Sequence, residues 1–347
     1  MRRSWERGQT RVAGPLAALL ALAALAAPAP AAASQSPRRS AGSGSASSRV
    51  RSPAPATRAQ QPRGPARVSR EQREIARVER YWTPARMRAA RPLELGLDAA
   101  GATHLRLGPA GPSGLAGASF AAVPTPEAPP FSSNGRIFIK RGRLRGYCSG
   151  TAIDSPSRQL VLTAGHCVNS GGEGGRASVW SNYMEFVPAY SGGAAPFGAF
   201  VARRGSIYAL EQWTEHGNPD FDLGAMRVHR NAAGVNVADA IGGGATIASG
   251  LSRHQEFQSF GYPGESKRLQ SCSSPYAGDD ALTYPLGGPP TLAIRCRWAP
   301  GASGGGWLIA GGTEIDGINT YLHLDDKSRT YGPYFSQETV GKLVRGL

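Results

Sequence analysis

The stretch "CRWAPGASGGGWLIAG", Cys296 to Gly311, sets one serine, Ser303, among five glycines, with a cysteine seven residues before it. A flexible linker has such a composition. So has a site where backbone N–H groups must come close to a reacting atom. The apolar run Trp307 to Ala310 that follows is wrong for a linker. If Ser303 attacks a carbonyl, the resulting oxyanion needs two backbone N–H donors, and Gly301 and Ser303 itself would supply them. On this reading Gly301 permits a tight turn, and Gly304 and Gly305 keep the approach to Ser303 open.

A nucleophilic serine needs a base, and the base needs a group that orients it. In "LVLTAGHC", the β-type run Leu160 to Thr163 leads through small residues to His166 and Cys167. A histidine at a strand end and beside a disulfide is held in one orientation, and its ordinary pKa suits base chemistry at neutral pH. In "NPDFDLGAMRV", Asp222 directly precedes the apolar run Leu223 to Val228, where it can hold the far imidazole nitrogen and fix the tautomer. Asp220 is the competitor, and Asp222 is preferred because it borders the strand. Each feature alone has an ordinary structural explanation. Together they give His166, Asp222 and Ser303 as the candidate catalytic set.

Around these motifs, from Phe131 onward, the chain consists of short apolar runs separated by glycine and turn residues, such as "RIFIK", "QLVLTA", "EFQSFGY" and "TLAIRC". None is long enough for a helix, so the region 131–347 reads as an all-β sandwich or barrel. Its last residues predict a helix capped by Ser336, with Thr339, Val340, Leu343 and Val344 on the apolar side.

Upstream the composition differs. Residues 1–33 read as a secretory signal peptide: Arg2, Arg3, Arg7 and Arg11, then the apolar run Leu16 to Ala27, then the Ala-x-Ala site Ala31–Ala33. The apolar run is too short to span a bilayer. An exported, extracellular product follows, without a membrane anchor after cleavage. Residues 34–67 are Ser, Ala, Pro, Arg and Gln with almost no large apolar groups, which predicts disorder. Within the segment 34–130, short helices are predicted near 69–90. Ser69 and Gln72 form a capping box, Ile75, Val78 and Trp82 share a face, and Thr83-Pro84 starts a second helix. This pro-region or linker is expected to be removed or to remain a loose arm beside the 131–347 domain.

The formal net charge is +15, but residues 1–130 carry +12 of it, every cation there being arginine. The domain beyond is nearly balanced and predicts no nucleic-acid partner. Four cysteines, Cys148, Cys167, Cys272 and Cys296, all lie in that domain. Two disulfides are expected in an exported chain, with three possible connectivities. The local pairing, Cys148–Cys167 and Cys272–Cys296, is preferred. Zinc is the competing use, and no Cys-x-x-Cys pair supports it. No metal or other cofactor is expected.

"GYCSGTAI", "LTAGHC", "FDLGAMRV" and "PGASGGGW" resemble the landmark segments of chymotrypsin-superfamily serine peptidases, over about residues 131–347. Cys296 placed seven residues before Ser303, with Pro300-Gly301 between, is similar to the bacterial glutamyl endopeptidase-like branch. "YWTPARMRAARPL" resembles the pro-segments of its secreted actinobacterial members. The resemblance implies two six-stranded antiparallel β-barrels with the site in the cleft between them. It implies a zymogen-derived serine endopeptidase acting on polypeptides through a His166-Asp222-Ser303 triad, with Gly301 as oxyanion donor and a monomeric product. It places Asn319, Thr320 and Arg297 at the primary specificity pocket.

Two departures stand out. Ala302 occupies the position where animal digestive enzymes carry an aspartate that pairs with the freed N-terminus. Asn319 stands where glutamyl endopeptidases have a histidine, so an inward Arg297 would be the group to favour acidic substrates, and an outward one would leave the pocket neutral. The absence of an aspartate there argues against Lys or Arg preference. Two other classes stay open: a catalytically silent binding protein of the same fold, and a surface polyanion-binding protein acting through the Arg-rich arm.

Overall fold

The computed structural model describes residues 68–108, 120–172, 177–264, 266–282 and 287–347. The chain divides into two units, Met1–Arg63 and Gly64–Leu347, and every described residue belongs to the second. The expected signal peptide and the Arg-rich stretch 34–67 lie outside the described residues.

The pattern predicts no strand before Phe131, yet three lie there: β1 (Arg91–Leu97), β2 (Thr103–Leu107) and the short β3 (Ala121–Ala122). "RPLELGL" alternates apolar and other residues over too few positions to stand out. Its pairing partners lie far away in sequence, so tertiary context decides its conformation.

Six strands follow: β4 (Asn134–Arg141), β5 (Leu144–Ile153), β6 (Leu160–Ala164), β7 (Asn182–Pro188), β8 (Phe200–Ala209) and β9 (Leu223–Val228). They pair antiparallel in the order β4-β5-β6-β9-β8-β7, and β7 returns to β4, closing a barrel. The hairpin β4–β5 pairs Arg141 with Leu144 across a two-residue turn that begins at Gly142, φ +57°. Positive φ there matches the twist of the strands. Ile137, Leu162, Phe186 and Met226 are fully buried in the core, each contributing about 1.5–3 kcal/mol by burial.

The second group comprises β10 (Thr246–Ile247), β11 (Glu256–Gly261), β12 (Gln270–Asp279), β13 (Leu292–Ile294), β14 (Gly306–Ile309), β15 (Glu314–Ile318), β16 (Tyr321–His323) and β17 (Thr330–Gly332). Its pairings run β10-β15-β14-β11-β12-β13-β17-β16, and β16 pairs with β1. β1 also pairs with β5, so it ties the two strand groups together. The local disulfides Cys148–Cys167 and Cys272–Cys296 are both formed, one in each group.

The helices are short: α1 (Arg70–Tyr81), α2 (Pro84–Arg88), α3 (Gly165–Val168), α4 (Glu211–His216), α5 (Val237–Ala240) and α6 (Val340–Arg345). α1 opens on the capping box read from sequence: Ser69 Oγ accepts from the Gln72 N–H at 3.0 Å, and Gln72 Oε1 accepts from the Ser69 N–H at 2.9 Å. Val78 and Trp82 are buried in the barrel core, which docks the helix instead of leaving it loose. α6 departs from expectation. It starts after Thr339 and not at Ser336, and Val344 is exposed. Ser336 is drawn into a turn ahead of the helix, its Oγ accepting from the Glu338 N–H at 3.2 Å and its N–H donating to Thr339 Oγ1 at 2.9 Å. Among the described residues no helix is long and apolar enough to cross a membrane.

Candidate active site

Strand register brings the histidine and the aspartate together. β6 pairs with β9 so that Ala164 faces Leu223. His166 lies in α3, two residues beyond that pair, and Asp222 lies one residue before it. His166 Nδ1 and Asp222 Oδ2 are 2.7 Å apart, and the His166 backbone N–H donates to Asp222 Oδ1 at 2.6 Å. Both side chains are fully buried. The carboxylate thus holds the ring and its backbone in one orientation and favours the tautomer with hydrogen on Nδ1. The buried Nε2 has no hydrogen-bond partner, so no bond joins it to Ser303 in this state.

Asp220 points elsewhere. Burial pushes its carboxyl up to about 7, with the negative charge of Asp280 adding to the effect.

Two residues not singled out from sequence support the histidine turn. Arg141 is buried and donates from Nη2 to the His166 carbonyl at 2.6 Å and to Ser181 Oγ at 2.9 Å. Burial lowers its pKa to about 10, against the opposing pull of Asp222. Trp213 sets its ring edge-on to His166, with centroids 6.3 Å apart, and anchors its Nε1 on the Asn169 carbonyl at 3.0 Å. No local motif marks these residues, because their roles come from long-range packing.

Ser303 lies in the loop between β13 and β14. Its carbonyl accepts from the Ser149 N–H at 2.7 Å, which fixes the loop to the barrel. Ser149 Oγ donates to the Gly301 carbonyl at 2.9 Å and so orients the Gly301 peptide. Gly301 has φ +96° and Gly304 φ +84°, as left-handed turns require. The expectation that Gly304 and Gly305 keep the approach open needs correction. A Cβ on Gly304 would collide with Thr163 Oγ1 and the Ser149 carbonyl, and one on Gly305 with the Phe260 carbonyl. These glycines serve close packing behind the serine.

The Gly301 N–H donates at 2.7 Å to the carbonyl of Leu93 in β1. Beside it, a cavity of about 20 Å³ is lined by Ser303, Trp298, Ala302, Thr320 and, from β1, Glu94 and Leu95. Of the residues expected at a specificity pocket, two are found at this cavity. Asn319 and Thr320 line it, and Arg297 does not: Trp298 faces the cavity in its place.

The Asn319 side-chain amide is also hydrogen-bonded within the fold. Its Oδ1 accepts from Ser259 Oγ at 2.9 Å and Trp307 Nε1 at 2.7 Å, and its Nδ2 donates to the carbonyls of Phe260 at 2.8 Å and Ala302 at 3.3 Å. The amide capacity is thereby used up. As for metals, Cys148, His166 and Cys167 cluster, but both sulfurs are joined in the disulfide and offer no thiolate.

No family model and no curated protein matches the chain. Solved structures do. The protease Anisep from Arthrobacter nicotinovorans is 30% identical, with a TM-score of 0.53, over 61% of this chain and 94% of that one. A thermostable serine protease, AL20, from an extremophilic microorganism is 24% identical, with a TM-score of 0.53, over 62% of this chain and 96% of its own. A Glu endopeptidase solved in complex with MPD is 17% identical, with a TM-score of 0.51, over 65% and 94%. The last two speak for the fold alone. Taken with the closed barrel and the first of these matches, they lead to one assignment: the chain belongs to the chymotrypsin-like serine proteases.

Proposed function

We propose that the protein is a secreted serine endopeptidase that cleaves peptide bonds through an acyl-enzyme intermediate. The observation that carries this reading is the buried His166–Asp222 pair at 2.7 Å, which leaves Nε2 unpartnered as a base. Ser303 Oγ attacks the scissile carbonyl and its proton passes to Nε2. Asp222 stabilises the imidazolium, and the N–H groups of Gly301 and Ser303 receive the oxyanion. Nε2–H then protonates the leaving amine, and water repeats the sequence on the ester. The two disulfides fit an exported product. A silent binding protein would be expected to lack one of these three residues, and the sequence carries His166, Asp222 and Ser303.

The barrel residues around the pocket, Trp298, Ala302, Thr320 and Thr330, are uncharged. Preference for a small or medium neutral residue before the cleaved bond follows. Profiling a peptide library checks it: Arg297→Ala is expected to leave the profile unchanged, and a strong choice of Glu, Lys or Arg would refute it. For the reaction itself, Ser303→Ala is expected to lower turnover on the order of 10⁶-fold with folding intact. Retention of a tenth of wild-type activity would remove Ser303 from the role of nucleophile.

A further inference from the structure

We propose that Arg136 is a positioning residue for the oxyanion site: boxed in by aromatic rings, it holds the turn that aims the Gly301 N–H. The inference rests on the reading of Ser303 as nucleophile and Gly301 as oxyanion donor.

The need for such a residue starts at Gly301 itself. Its φ of +96° lies where glycine moves freely, so the local sequence does not fix the direction of its N–H. Hydrogen bonds from outside the loop have to do so. The Pro300–Gly301 peptide is trans, and the C=O and N–H of a planar trans peptide point in opposite directions. A donor fixed on the Pro300 carbonyl therefore aims the Gly301 N–H. That donor is the Gly264 N–H, at 2.6 Å. The next peptide is held as well: Ser149 Oγ donates to the Gly301 carbonyl at 2.9 Å and accepts from the Tyr262 N–H at 2.9 Å. Tyr262 and Gly264, with Ser149, thus fix both peptide planes that flank Gly301.

The segment that carries Tyr262 and Gly264 is in turn secured by β4. Arg136 in β4 stands directly opposite Ser149 in β5, so the two side chains leave the same face of the sheet. Ser149 takes the segment at Tyr262. Arg136 takes it further along, donating from Nη2 to the Ser266 carbonyl. Only 6% of Arg136 is exposed. Its guanidinium lies over the rings of Tyr147, Tyr190 and Tyr262, at 4.1, 4.6 and 5.2 Å from their centroids. Desolvation strengthens the attraction of a cation to aromatic faces, so the box keeps Arg136 in place. The same residues reach the oxyanion loop. A Cβ on Gly301 would lie 2.6 Å from the Tyr147 ring and 2.7 Å from the Tyr262 carbonyl, so both pack directly against Gly301. Arg136 need not touch substrate: it acts through Tyr147, Tyr262 and Gly264.

The test uses the purified secreted protein, with its N-terminus verified by mass as the same in every variant. It reads kcat and KM on a peptide amide, and the inhibition constant of a peptide aldehyde, whose adduct with Ser303 puts a charged oxygen at the two amide donors. Arg136→Met removes the cation and keeps apolar bulk. It is expected to lower kcat about 10²-fold, near the loss of about 10²–10³ that removal of one oxyanion donor causes, and to weaken the aldehyde in parallel, with KM within about twofold. Arg136→Lys returns a cation to the rings and should recover about tenfold of that loss. Tyr190→Leu opens one wall of the box and should lower kcat about tenfold, with Tyr190→Phe, which keeps the ring face, losing several times less. The pH dependence of kcat/KM should stay that of wild type throughout, because His166 and Asp222 are untouched. An unchanged kcat in folded Arg136→Met would overturn the proposal. Where that variant does not fold, equal rates for Tyr190→Leu and Tyr190→Phe would do the same. So would a loss of kcat with the aldehyde bound as tightly as by wild type, since the disturbance would then lie away from the oxyanion site. Wild type that neither hydrolyses peptides nor takes the aldehyde at Ser303 would overturn the peptidase reading, and the positioning role with it.

Discussion

Asn319 illustrates how one side-chain amide can hold a loop in place. Its amide joins Trp307, Ser259, Phe260 and Ala302, the last being the residue before Ser303. Truncation would leave several buried polar groups unpaired, each costing about 1–3 kcal/mol. Asn319→Ala is therefore expected to lower stability by roughly 2–4 kcal/mol and to slow turnover by displacing Ser303. Thermal melting and kcat against KM would check this: an unchanged melting temperature would deny the amide its structural role. At Asp222 the expected failure is chemical. Asp222→Asn keeps the shape of the site but favours the wrong imidazole tautomer, and kcat should fall on the order of 10⁴-fold. Peptide hydrolysis by the purified variant measures this directly.

At the scale of elements, β7 and α1 meet over a buried acid. Glu185 in β7 is pushed up to about 8, first by burial and then by the charge of Glu79 on α1. One of its oxygens, Oε1, has no partner. An acid whose folded pKa exceeds its unfolded value stays protonated in the fold where the unfolded chain has lost the proton. Its contribution is complete below the unfolded value of 4.5 and is lost as pH rises through about 8. Asp220 and Asp316, both raised to about 7 by burial first, act in the same direction. The melting temperature is expected to fall between pH 5 and 8, less steeply in Glu185→Gln. Equal slopes in the two proteins would show that Glu185 does not contribute.

Across the whole molecule, the site is shared. His166 and Asp222 come from the closed barrel, and Ser303 from the second strand group. The disulfides Cys148–Cys167 and Cys272–Cys296 fasten the turn and the loop that carry these groups, over sequence separations of 19 and 24. Removing either pair as a double Cys→Ser variant is expected to cost about 3 kcal/mol by the chain-entropy model. Denaturant titration would register the loss. Because His166 neighbours Cys167, the first pair should also reduce kcat, while an intact rate would show that Arg141 and Asp222 hold the turn unaided.

Local chemistry made much of this protein legible from sequence. Short apolar runs between glycines marked the β domain, small residues around His166 and Ser303 marked tight turns, and the Ser69 box marked the start of α1, because each depends on neighbours a few positions away. Local composition also pointed to Asp222 over Asp220, since only the former borders β9. Contacts across the chain were decided by folding alone. Asn319 read as a pocket residue and does line the cavity, but its four hydrogen-bond partners, up to 60 positions distant, had no local signal. Arg297 read as a pocket candidate, but the cavity lining takes in Trp298 and not Arg297. Least visible was β1, seven residues with no distinctive pattern. Its place in the cleft depends on free edges of β5 and β16 that exist only once both strand groups have formed.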